Sequence, residues 1–150
     1  ILTGNNAAKN TADLTAGSAE WKAILPDGTL VAPGTAGTLK IDLVSGVPKI
    51  STTVKTTTSS DQWPSTPFKD LAVESGITIP DILKALAVFP SDSSDHGGDR
   101  FYAKNDGEKC FYRGGDWYCT SGAGVFCLFG SHPRSYSGVS FGFRPAYILL

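Results

Sequence analysis

Arg113-Gly114-Gly115-Asp116-Trp117 opens, and Gly142-Phe143-Arg144-Pro145-Ala146-Tyr147 closes, the stretch on which the reading of this chain turns. Between them lie Ala123-Gly124-Val125-Phe126 and Pro133-Arg134-Ser135. From Cys119 to Leu150 there is no Lys, Glu, Gln, Met, Asn or Asp, and the only charged side chains are Arg134 and Arg144. Exposed loops ordinarily carry charge. Here polarity rests on Ser, Gly, Tyr, His and Thr, the composition of a binding paratope in which rigid amphipathic rings stand among small adaptable groups.

The glycines at 114 and 115 suit backbone angles that other residues resist and let the chain pass close to a neighbour. Trp117 is expected as a core anchor whose indole N–H meets a carbonyl. Val125, Phe126, Leu128, Phe141 and Phe143 are expected as buried strand residues. Arg144, set in an apolar strand, needs paired or carbonyl partners, and Arg134 is expected to staple a loop. Both arginines read as scaffold.

Gly-Gly-x-Trp, Ala-Gly-Val-Phe, Pro-Arg-Ser and Gly-Phe-Arg-Pro-Ala stand in order over roughly the last quarter of the chain. In this the segment resembles the variable proteins of diversity-generating retroelements, ligand-binding proteins of phages and bacteria with a C-type lectin fold. The resemblance implies an α+β fold: a C-type lectin-like C-terminal domain with two helices and a twisted antiparallel sheet, preceded by a small β module. It implies no catalytic residues, no cofactor and no metal. It also implies which positions vary, because adenine-bearing codons of the AAY type are rewritten in such genes. Mapped through the fixed pieces, these are Asp116, Tyr118, Cys119, Gly122, Cys127, Phe129, Gly130, Ser131, His132, Tyr136, Gly138 and Val139. Each is reachable from AAY by changing the first two bases. They are expected to form one exposed ligand face, with Tyr118, Phe129, His132 and Tyr136 its largest contributors.

Two other classes compete. The Arg-Gly-Gly-x-Trp and Gly-Phe-Arg pieces also resemble formylglycine-generating enzymes, but Cys119 and Cys127 lack that family's copper-binding spacing and the chain is short for its catalytic body. Calcium-dependent sugar lectins use Glu-Pro-Asn or Gln-Pro-Asp with Trp-Asn-Asp, and none of these tripeptides occurs. The resemblance therefore favours a receptor-binding protein on a phage tail or head fibre, or a variable adhesin on a bacterial surface. Its partners would be a host cell-surface protein or glycan and other virion proteins, and a homotrimer would add avidity.

The rest of the chain bounds this reading. With 13 basic and 14 acidic residues and no basic run, nothing suggests a nucleic acid partner. No apolar run approaches the roughly 20 residues that cross a bilayer. Ile1 in place of a methionine implies that a few N-terminal residues are missing, and no signal peptide is apparent. Three cysteines make a poor disulfide framework. Cys110 reads as a small strand hydrophobe.

Residues 1–60 read as a β-rich attachment or oligomerisation module and 61–150 as the ligand-binding domain. In the first, strands are expected at 21–25, 29–32, 38–44 and 49–55, with turns at Pro26-Asp27-Gly28 and Ser45-Gly46-Val47-Pro48. Leu39, Ile41 and Leu43 alternate onto one face. In the second, Ser65 or Thr66 caps a helix from Pro67 to Ser75, and a second helix starts at Asp81 with an apolar stripe through Phe89. The polar loop Ser91 to Asp99 reads as solvated rather than calcium-binding, with His96 on its surface. Arg100–Lys104 and Lys109–Arg113 read as a hairpin through Asn105-Asp106-Gly107.

Overall fold

The computed structural model describes residues 22–107, 109–115, 119–133 and 135–139. Trp117, Arg134, Phe141, Phe143 and Arg144, and the expected variable residues Asp116 and Tyr118, lie outside the described residues.

The first elements among the described residues are two short antiparallel strands, β1 (Ala23–Ile24) and β2 (Leu30–Val31). Asp27 closes their turn by accepting the Thr29 N–H at 2.8 Å. β3 (Lys40–Val44) and β4 (Val47–Ser51) form a hairpin. Its two turn residues, Ser45 and Gly46, have φ of 52° and 78°. Two consecutive positive φ values match the twist of the flanking strands. The alternation places Leu39, Ile41 and Leu43 in the core, as expected.

The next segment departs from expectation. Where a helix over 67–75 is expected, the chain forms β5 (Ser65–Pro67), a single 3-10 turn (Phe68–Asp70) and β6 (Ala72–Val73). Strand pairing overrides the local capping signal: Ser65–Pro67 lies along Arg100–Tyr102 and Ala72–Val73 along Lys49–Ile50, and Pro67 is itself extended, with ψ 138°. Thus β5 takes an edge position antiparallel to β7 (Arg100–Ala103), and β6 runs parallel to β4.

The second expected helix is present but short. α1 covers Asp81–Ala85. It closes with paired bonds from Val88 N–H to Leu83 O and from Ala87 N–H to Lys84 O, both at 2.8 Å. This is the left-handed C-terminal motif usually built on glycine; here Ala87 occupies it at φ 50°. Arg113 reinforces the end by donating to the carbonyls of Leu86 and Ala87 at 2.8 and 2.5 Å. Among the described residues α1 is the one α-helix and sheet dominates. The two-helix α+β, C-type lectin-like expectation is thereby overturned.

The last sheet has the order β5-β7-β9-β8, with β8 at Cys110–Arg113 and β9 at Leu128–His132. The expected hairpin between 100–104 and 109–113 does not form, because β9 lies between the two strands, parallel to β7 and antiparallel to β8. Asn105, instead of simply turning the chain, is 5% exposed. Its Oδ1 accepts from the Thr58 N–H and hydroxyl at 2.7 and 2.8 Å. Its Nδ2 donates to the carbonyls of Ile41 and Thr56, both at 2.9 Å.

One apolar cluster joins Ile24, Leu39, Ile41 and Ile50 to Phe68, Leu71, Leu83, Phe101 and Leu128. Described residues on both sides of position 60 thus contribute to this one cluster. Phe68 and Phe101 are its largest side chains, each contributing about 2–3 kcal/mol by burial.

Candidate functional site

One face of the four-stranded sheet packs on the core through Phe101, Ala103, Phe111 and Leu128. The other carries aromatic rings. Tyr102 and Phe129 are register partners on neighbouring strands, as are Phe129 and Tyr112. Their rings stack nearly parallel, at centroid distances of 4.2 and 5.2 Å.

A bulge extends this row. Tyr112 pairs with Phe129 and Cys110 with His132, so Phe111 alone faces Gly130 and Ser131. An extra residue shifts the alternation downstream. His132 therefore rejoins the Tyr112 face, 6.1 Å from that ring, and stacks on Tyr136 at 3.8 Å. Trp63 approaches His132 at 5.4 Å, tilted by 58°. The Lys104 ammonium sits 4.2 Å from the Trp63 centroid and donates to Ser60 O at 2.7 Å. A ring face and a carbonyl thus compensate a lysine that is 8% exposed. Arg100 lies 6.0 Å from Tyr102 and donates to the Ser65 hydroxyl. Burial holds the Tyr102 phenol above its ordinary pKa, so it stays a neutral hydrogen-bonding group. The row opens to solvent at Trp63 and Tyr136, 55% and 47% exposed.

The motif glycines shape the framework beneath. Gly114 and Gly115 have φ of 98° and 65°. A Cβ on Gly115 would lie 2.5 Å from the Ala123 Cβ, and one on Gly124 would collide with the Asp99 carboxylate. The Gly-Gly and Ala-Gly pieces are therefore packed against each other and against the end of the Ser91–Asp99 loop. Ala123–Phe126 is not the buried strand expected. Asp99 Oδ2 accepts the Phe126 N–H at 2.8 Å, and Cys127 N–H turns back to Gly124 O. These bonds remove the segment from any ladder, leaving Val125 77% and Phe126 36% exposed. Leu128, by contrast, is buried in β9 as expected.

His96 is also not a surface residue. Its ring packs edge-on against Phe68 at 5.2 Å and Phe126 at 4.9 Å, and its Nδ1 donates to Ser94 O. In the same loop Asp92 accepts the Ser94 N–H and Asp95 pairs with Lys69 at 2.8 Å. Among the described residues no three His, Cys, Asp or Glu converge as metal ligands. Cys110, Cys119 and Cys127 are not joined in disulfides, and burial pushes the Cys127 thiol pKa up.

The residues expected to vary fall into groups. Tyr136, Gly138 and Val139 are exposed, while His132, Cys119 and Gly122 are half-buried. Cys127, Phe129, Gly130 and Ser131 are buried, the last three within β9. A Cβ on Gly130 would strike the Phe111 ring. These four do not belong to an exposed face. Sequence reasoning also missed Trp63, Tyr102 and Tyr112 as members of the row. The usable signal was an exposed-type Trp-Pro pair inside a polar segment.

No protein-family model matches the chain, and no curated protein is significantly similar to it in sequence.

Proposed function

We propose that this chain is a ligand-binding module of a phage virion that recognises a host cell-surface protein or glycan. The carrying observation is the aromatic row that crosses the sheet and ends in the half-exposed rings of Trp63 and Tyr136. Rigid rings supply large contact area at small entropic cost, which makes Tyr and Trp frequent binding hot spots. The four motif pieces that resemble retroelement-diversified proteins support the same reading. On it, diversification acts where side chains reach solvent, at His132, Tyr136, Gly138 and Val139, and the middle of β9 stays fixed. The module works without catalysis, and assembly as a homotrimer supplies avidity.

The test compares Tyr136→Ser and Trp63→Ala with the parent in thermal melts and in adsorption to a panel of candidate host cells. Tyr136→Ser should change stability by no more than about 0.5 kcal/mol. Trp63→Ala, which removes the ring over Lys104, should cost about 1 kcal/mol. Each should weaken adsorption by about thirtyfold, a loss of about 2 kcal/mol. Unchanged adsorption by both variants would remove the aromatic row from the contact surface.

A further inference from the structure

A second feature lies away from the aromatic row. His96, Asp99, Ala123, Gly124, Val125 and Phe126 line a cleft of about 380 Å³, a volume toward the small end of ligand sites, which run from about 300 to 1,000 Å³. Asp99 is 4% exposed. Its Oδ2 is occupied by the Phe126 N–H, while Oδ1 accepts no hydrogen bond and the carboxylate has no ion-pair partner among the described residues. A carboxylate so far removed from water ordinarily has a cation or several donors beside it. Arg100, the next residue, donates instead to the Ser65 hydroxyl, and Lys69 is engaged by Asp95. Around Asp99 the walls are largely apolar, with the ring of Phe126, the exposed isopropyl of Val125 and the methyl of Ala123 beside the His96 ring and Ser121. The carboxylate packs against the Gly124 backbone, where a Cβ would collide with it, so only glycine admits it to this position.

We propose that this cleft binds a protonated alkylamine, with the ammonium on Asp99 Oδ1 and an aliphatic stem along Phe126 and Val125. An anion would meet a carboxylate that has no ion-pair partner among the described residues, and an uncharged alkyl ligand would leave Oδ1 without a donor. A lysine side chain of a protein partner and a free small amine present the same chemistry.

The test is an amide NMR titration of the full chain with n-butylammonium chloride and, separately, n-butanol. Butylammonium should give saturable shifts at Gly124 and Phe126 with a dissociation constant on the order of millimolar, as befits so small a ligand. Butanol should bind about tenfold more weakly or less. Asp99→Asn keeps an acceptor for the Phe126 N–H and should abolish the preference for the amine. Val125→Arg, at an exposed rim position, should leave the melting temperature unchanged and suppress amine binding by setting a tethered cation beside Asp99; it decides the matter if Asp99→Asn does not fold. A lysine-containing peptide that binds more tightly than butylammonium assigns the cleft to a protein partner, and equal affinity assigns it to a free amine. Equal binding of butylammonium and butanol, or amine shifts that persist in Val125→Arg, would overturn the proposal.

Discussion

Asn105→Ala is expected to destabilise the protein by about 4 kcal/mol. The native side chain satisfies two donors of Thr58 and the carbonyls of Ile41 and Thr56, all at 2.7 to 2.9 Å. Alanine removes these four bonds from a site that is 5% exposed. A buried polar group left without a partner costs about 1–3 kcal/mol, and the Thr58 hydroxyl can turn elsewhere, so the sum stays below the maximum. Urea denaturation monitored by tryptophan fluorescence measures it. Asn105→Asp separates the two halves of the network: it keeps acceptors for Thr58 but sets an oxygen against two carbonyls, and should recover little of the loss. A cost under about 1 kcal/mol for alanine would mean that water replaces the amide.

Phe129→Ala should cost about 3–5 kcal/mol, the range for deleting a buried aromatic ring. Phe129 is 8% exposed and stacks on Tyr102 and Tyr112, so its loss opens the middle of the row. Gly130→Asn belongs to the same experiment. Asparagine is what an AAY codon encodes, and its Cβ would meet the Phe111 ring. Overpacking of this kind costs about 1–3 kcal/mol. Differential scanning calorimetry of the two variants beside Tyr136→Ser distinguishes fixed from variable positions. If Phe129→Ala and Gly130→Asn melt with the parent, the middle of β9 tolerates diversification and returns to the variable face.

Local pattern in the sequence carried the parts of the fold that local physics decides. The alternation of Leu39, Ile41 and Leu43 and the Ser45-Gly46 turn specify β3 and β4 without help from elsewhere. The stripe at Ile82 and Leu83 specifies a helix, but not that Ala87 would adopt φ 50° and end it. Over 65–75 the capping signal at Ser65 and Thr66 competes with strand pairing to β7 and β4, partners distant in the chain, and the pairing wins. The site was less legible, because its membership depends on distant register. Tyr102, Tyr112 and Phe129 meet only once β9 enters between β7 and β8. His132 joins them only through a bulge opposite Phe111, which no periodicity announces. Likewise, the burial of His96 follows from contacts with Phe68 and Phe126, 28 and 30 residues away in the chain.

The placement of β9 between β7 and β8 has a kinetic consequence. Asn105-Asp106-Gly107 is a strong local signal for joining the two flanking strands directly, and a hairpin closes in about 1–10 μs. The native sheet must instead admit a strand that begins 15 residues after β8 ends, at Leu128 against Arg113. The fastest pairing open to this chain is therefore one that has to be undone. Refolding is expected to show a folding limb that rolls over at low denaturant as the premature hairpin accumulates. Weakening the turn with Gly107→Ala, at φ 153°, should straighten that limb while lowering equilibrium stability.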